Sequence, residues 1–84
     1  MTITVLYFAD LREAMNCTSE TLDLPAEIKT VGELRRFIAA RGADRAPLGQ
    51  MANLRCAINQ NMADWNAAIA DDDEVAFFPP VTGG

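Results

Sequence analysis

The sequence closes on Phe77-Phe78-Pro79-Pro80-Val81-Thr82-Gly83-Gly84, and the chemistry readable there belongs to the terminal carboxylate. An α-carboxyl is ionised at neutral pH. Its oxygen can attack the α-phosphate of ATP to give an acyl adenylate; a sulfur nucleophile can then displace AMP and leave a thiocarboxylate on Gly84. Gly83 and Gly84 have no Cβ and can thread a channel too narrow for other residues. Pro79 and Pro80 fix φ and lack backbone donors, so they stop a strand's ladder and stiffen its exit. Four residues from Val81 onward reach roughly 14 Å when extended, enough to enter another protein's pocket. Chain ends also finish in glycine simply because nothing packs there. The direct passage from an aromatic strand end through two prolines favours a working tail.

The other residue types supply little chemistry of their own. There is no histidine, no nucleophile beside a base and no phosphate-binding loop, so catalysis is expected to sit in partners rather than in this chain. Cys17 and Cys56 are too few for a metal-ligand quartet or an iron–sulfur cluster. Neither has an adjacent basic group to activate it; Cys56 reads as core packing and Cys17 as a turn residue. No metal and no bound cofactor are expected, ATP being consumed by an activating partner.

With 12 acidic and 7 basic residues the formal net charge is −5. A phosphate backbone would repel such a chain, which argues against nucleic acid as a partner and for a basic protein surface. No apolar run is long enough for a membrane span, and a cytoplasmic location is expected. Half of the 84 residues are apolar and 23% are charged, the balance of one small soluble domain.

The elements that position the tail follow from periodicity. Thr2 to Phe8 alternates β-branched and aromatic residues, as a strand does. Asp10 and Glu13 resemble a capping box for a short helix carrying Leu11, Ala14 and Met15 on one face. Thr18 to Leu24 is a second strand, ended by Pro25. Thr30 and Glu33 have true capping-box spacing, and behind them Val31, Leu34, Phe37 and Ile38 recur at helical intervals, with Gly42 as the stop. Residues 43–53 read as a loop with a short helical turn. Leu54 to Asn59 is a strand, Asn59-Gln60-Asn61 a turn, and a short strand follows near Met62. Asp71-Asp72-Asp73 turns the chain into the last strand, Glu74 to Phe78. The order predicts an α+β fold of the β-grasp, ubiquitin-like kind: a mixed sheet of four to five strands, one main helix and one or two short ones. Residues 1–80 form the domain and 81–84 a flexible tail, the first and last strands being parallel neighbours.

Both end strands are apolar on two faces: Ile3, Val5 and Tyr7 against Leu6 and Phe8, and Val75 and Phe77 against Ala76 and Phe78. One helix covers only one face of a small sheet. Phe8, Phe78 and Met62 are therefore candidates for a docking patch, unless residues 43–53 fold over it. Arg12 is a weaker candidate for a charged contact, and Trp65 reads as a packing anchor at the rim.

The chain resembles the small subunits of molybdopterin synthase through Val5-Leu6-Tyr7-Phe8-Ala9, Leu11-Arg12-Glu13, Ala57-Ile58-Asn59-Gln60 and above all residues 73–84. The resemblance implies adenylation of Gly84 by an adenylyltransferase related to the ubiquitin-activating enzymes. It also implies insertion of the tail, with Pro79, Pro80, Val81 and Thr82 as contacts, into the large synthase subunit. Sulfur would pass there to cyclic pyranopterin monophosphate to build the molybdopterin dithiolene, in a heterotetramer of two small and two large subunits. Where the family has Asp-Gly-Asp-Glu-Val before the last strand, this chain has Asp71-Asp72-Asp73-Glu74-Val75, so Asp72 must adopt the glycine's turn conformation. Sulfur delivery for thiamin or cysteine synthesis, or conjugation as a ubiquitin-like modifier, are the competing readings.

Overall fold

A computed structural model describes residues 1–80; the expected tail, with Val81, Thr82, Gly83 and Gly84, lies outside the described residues. In chain order the elements are β1 (Thr2–Tyr7), α1 (Ala9–Met15), β2 (Ser19–Asp23), α2 (Val31–Ala39), a 3-10 turn (Ala43–Arg45), α3 (Ala46–Gln50), β3 (Arg55–Ile58), β4 (Asn61–Ala63) and β5 (Glu74–Phe78). Among the described residues the strands form one five-stranded sheet in the order β2-β1-β5-β3-β4. β1 and β5 run parallel, with Val5 beside Val75 and Tyr7 beside Phe77. The remaining pairs are antiparallel. This is the β-grasp arrangement expected from the sequence.

The alternation in β1 and β5 sends Ile3, Val5, Tyr7, Val75 and Phe77 to one face, where all five are fully buried. α2 covers them with Val31, Leu34 and Ile38, also fully buried. Its start is held as the sequence predicted. The Thr30 side chain accepts from the Glu33 N–H at 3.2 Å, and the Glu33 carboxylate accepts from the Thr30 N–H at 3.0 Å. Two more N–H groups of this first turn, which a helix cannot satisfy internally, donate to the segment before β5: Val31 to the Ala67 carbonyl at 3.1 Å and Gly32 to the Trp65 carbonyl at 2.8 Å. A Cβ at position 32 would lie 3.1 Å from that carbonyl oxygen, so the close approach favours glycine.

Three local expectations differ. α1 has Phe8 in the N-cap position with no side-chain cap, so Asp10 lies inside the first turn instead of capping it. The reason is that the Phe8 N–H still donates to the Phe77 carbonyl of the parallel ladder at 3.2 Å, and the chain then reverses through Ala9 at φ 54°. Ala14 is exposed while Leu11 and Met15 enter the core. Gly42 does not end α2. The last turn tightens instead, with Arg41 N–H donating to Ile38 at 3.0 Å, and Gly42 is extended at φ 165°.

Residues 43–53 hold the 3-10 turn and α3. α3 lies against α1 and α2, and its Leu48 joins the same core cluster. This segment therefore thickens the helical layer and does not fold over the opposite face of the sheet. Glu20 ties the layers together. On β2 it accepts from the Tyr7 hydroxyl at 2.7 Å, from Arg45 Nε at 2.9 Å and from Arg41 at 3.0 Å. Burial alone would raise its carboxyl pKa, but the hydrogen bonds from Arg45, Tyr7 and Arg41 outweigh burial and hold it below the ordinary carboxylate range.

Two outcomes follow. Asp72 takes a left-handed conformation at φ 69°, as expected where the family has glycine, so Asp72→Gly should stabilise the fold by about 0.5–1 kcal/mol and Asp72→Val should destabilise it; urea unfolding measures both. Because the Glu20 carboxyl is depressed in the folded state, its stabilisation is present above the unfolded pKa and lost as pH falls through the folded value. Glu20→Gln should therefore lower stability at neutral pH and flatten the loss of stability on acidification, measured by thermal unfolding across that range.

Candidate docking face and tail exit

Residues paired across a ladder point to the same face. The registers of β1, β5, β3 and β4 thus set Leu6, Ala76, Ala57 and Met62 in one row on the face away from the helices. The next row, toward the end of β5, contains Phe78 beside Arg55. Phe8 follows Tyr7 at the end of β1, with its N–H still in the parallel ladder. Phe8 and Met62 are the large apolar side chains most exposed among the described residues, at 43% and 61%. Phe78, Pro79 and Pro80 are half-buried. Phe8 and Phe78 sit at neighbouring strand ends. Met62 shares their face but stands three strands from β1, roughly 14 Å at ordinary strand spacing.

The buried side chains of all three described α-helices belong to the single cluster on the other side of the sheet. Among the described residues no helix covers this apolar row: Met62 is exposed, Leu6 and Ala76 are partly exposed, and Ala57 is buried within it. The β2 end of the face is polar, with Ser19, Thr21 and Asp23 exposed. Arg55 is exposed next to Phe78. Sequence reasoning missed it, because only the pairing of β3 with β5 brings it there. Arg12 is exposed one helical turn after Phe8, its N–H donating to the Phe8 carbonyl at 3.3 Å.

Beneath the exit of β5 the inner face is built from rings. Phe77 stacks on Tyr7 at a centroid distance of 6.3 Å and on Trp65 at 6.1 Å, with interplanar angles of 17° and 11°. The Arg35 guanidinium lies 4.7 Å above the Trp65 ring and is itself fixed by the carbonyls of Leu48 at 2.8 Å and Met51 at 2.9 Å. Arg35 and Trp65 line a shallow cavity of about 540 Å³ together with Gly32, Arg36, Ala39, Ala40 and Gly49. These lining residues include no carboxylate, thiol or hydroxyl. Cys56 is buried, and burial pushes its thiol pKa up, so it packs as a neutral group; Cys17 is partly buried.

The ThiS family model matches residues 5–84. The chain belongs to the ThiS family. A curated relative, the molybdopterin synthase sulfur carrier subunit of Escherichia coli, is 39% identical over 98% of this chain and 99% of its own. The crystal structure of SAMP1 from Haloferax volcanii, a small archaeal modifier protein, superposes with a TM-score of 0.79 at 25% identity and covers 100% of both chains. A chain of the protein-protein complex of subunits 1 and 2 of molybdopterin-converting factor from Helicobacter pylori superposes with a TM-score of 0.69 at 20% identity over 100% of both chains, a likeness of fold. In this ThiS-family chain no described helix is long and apolar enough to cross a membrane.

If the outer face is free surface, Met62→Ser should change the unfolding free energy by less than about 0.5 kcal/mol. Val75→Ala, on the helical face, should cost about 2 kcal/mol. Denaturant titration of the two variants separates the faces.

Proposed function

We propose that this protein is the sulfur carrier subunit of a molybdopterin synthase. The observation that carries the reading is the ThiS-family match, which runs through Gly83-Gly84 on a chain alike over its whole length to a sulfur carrier subunit. The sheet supports it: the last strand ends beside an apolar row that no described helix covers. In this reading a partner adenylyltransferase supplies ATP chemistry. The Gly84 carboxylate attacks the α-phosphate and pyrophosphate leaves; a sulfide-equivalent nucleophile then attacks the acyl carbon, a C–S bond forms and the C–O bond to AMP breaks.

The charged carrier next docks on the large subunit through Phe8, Phe78 and Met62, with Pro79, Pro80, Val81 and Thr82 guiding Gly83 and Gly84 into the partner's channel. There the thiocarboxylate gives its sulfur to cyclic pyranopterin monophosphate, and water restores the carboxylate. The spent subunit must leave the large subunit before it can be charged again. The chain itself contributes no acid, base or cofactor to these steps; it contributes the acyl group and the surface that aims it.

The likeness to a small archaeal modifier protein favours one second reading, in which Gly84 is joined to lysine amines of other proteins. Intact-mass measurement after incubation with the activating enzyme, ATP and a sulfur source distinguishes the two. Exchange of one oxygen for sulfur on the C-terminal peptide is the expected result, and attachment to lysines would support the modifier. Deleting Gly84 should abolish that exchange with a nearly unchanged melting temperature. Phe78→Asp should weaken large-subunit binding by about tenfold or more, read by calorimetry; unchanged affinity would remove Phe78 from the interface.

A further inference from the structure

Trp65 lies on the face of the sheet opposite the docking row, yet its indole is stacked on Phe77, one residue before Phe78 and two before Pro79. Four contacts fix where that ring can be. The Trp65 carbonyl accepts from the Gly32 N–H at 2.8 Å. The backbone just beyond it is bridged to α2 through Thr30 and Ala68 and through the Val31 N–H to Ala67. The Arg35 guanidinium lies over the indole ring, 4.7 Å from its centroid. Arg35 is in turn held by two carbonyls around the end of α3. Tyr7, the ladder partner of Phe77, has its ring centroid 6.3 Å from that of Phe77. The side chain of Phe77 thus has two neighbouring rings nearly parallel to its own, each anchored to a different part of the fold.

We infer that Trp65 is a positioning residue for the tail: its stack on Phe77 sets the direction in which β5 delivers Pro79 and everything after it. This inference rests on the carrier reading above. A side chain that rocks at Phe77 tilts the last ladder residue, and an angular error there grows along the stiff diproline segment. Misplacement of a reacting group by about 1 Å can cost up to roughly a hundredfold in rate. In the carrier reading the docking row lies on the opposite face, so loss of the indole should slow the transfer step far more than it weakens binding.

The test uses the charged carrier with its large subunit, in single-turnover sulfur transfer and in parallel binding titrations. Trp65→Leu keeps an apolar side chain and removes the ring; Trp65→Phe keeps a ring over Phe77. The transfer rate of Trp65→Leu should fall by roughly tenfold with an affinity within about twofold of wild type, and Trp65→Phe should recover most of the rate. Both are measured far below their melting temperatures, so that lost stability does not enter. Arg35→Gln, which uncovers the indole without touching Phe77, should lower the rate in the same sense by a smaller factor, and it serves as the probe if Trp65→Leu does not fold. A folded Trp65→Leu or Arg35→Gln that transfers at the wild-type rate overturns the positioning role. A fall in affinity equal to the fall in rate overturns it as well. Failure of the wild-type chain to transfer sulfur would instead defeat the carrier reading.

Discussion

The parallel pairing of β1 with β5 is the interaction on which everything else depends. Two parallel strands finish at the same end, so the start of α1 and the exit of the chain are brought side by side although they are about seventy positions apart. The same pair supplies Ile3, Val5, Tyr7, Val75 and Phe77, which are fully buried and form the middle of the core. Parallel neighbours require a crossover, and α2 provides it while covering those five residues. Stability and the position of the β5 exit are thus consequences of one ladder. A change that loosened it would remove the core and the exit together.

The second consequence is the asymmetry of the sheet. In a chain of 84 residues there is material for one helical layer, and the segment between α2 and β3 joins that layer. The other face keeps Leu6, Ala76, Ala57 and Met62 in a row, with Phe8 and Phe78 at the end. Leaving a large apolar side chain in water forgoes about 1.5–3 kcal/mol relative to full burial. The free domain carries that cost for Phe8 and Met62, and under the proposed function a partner covering the row would recover it. The row is bounded by the polar outer residues of β2 on one side and by Arg12 and Arg55 near the exit, which in the proposed function would let a partner engage it and then leave.

Much of this was legible in the residues because it is local. Alternation in Thr2 to Phe8 and in Glu74 to Phe78 identified both central strands, and the spacing of Thr30 and Glu33 identified the start of α2. The loss of a glycine in the Asp71–Asp73 turn correctly implied a left-handed Asp72. The remainder depends on pairings distant in sequence. The Glu20 clasp joins β1, β2, the end of α2 and the 3-10 turn, and no window of sequence contains all four. Arg55 reaches the docking face only through its register with Phe78. The side on which residues 43–53 would pack was undetermined by their composition, since Leu48 could serve either face. Asp10 and Gly42 have the right types at the right spacing, but the ladder bond of Phe8 and the tightened last turn of α2 leave them no terminus to cap.

Ala9 shows how these constraints are reconciled at the exit. Phe8 has to keep its N–H in the ladder with Phe77 and yet send its side chain outward, while Leu11 and Met15 two and six residues after Ala9 have to return to the core. The chain therefore reverses within one residue, and a non-glycine side chain adopts the left-handed region at about 1–2 kcal/mol. Full burial of Leu11 returns about 2 kcal/mol by itself, and Met15 adds a comparable amount, so the strained turn is the favourable solution. Relaxing it into an ordinary helix start would pull Phe8 out of the ladder or Leu11 out of the core. The exposure of Phe8 is in this sense enforced by the packing of α1: the contacts that hold the helix in place are the ones that keep the ring in solvent, beside the strand end from which the tail departs.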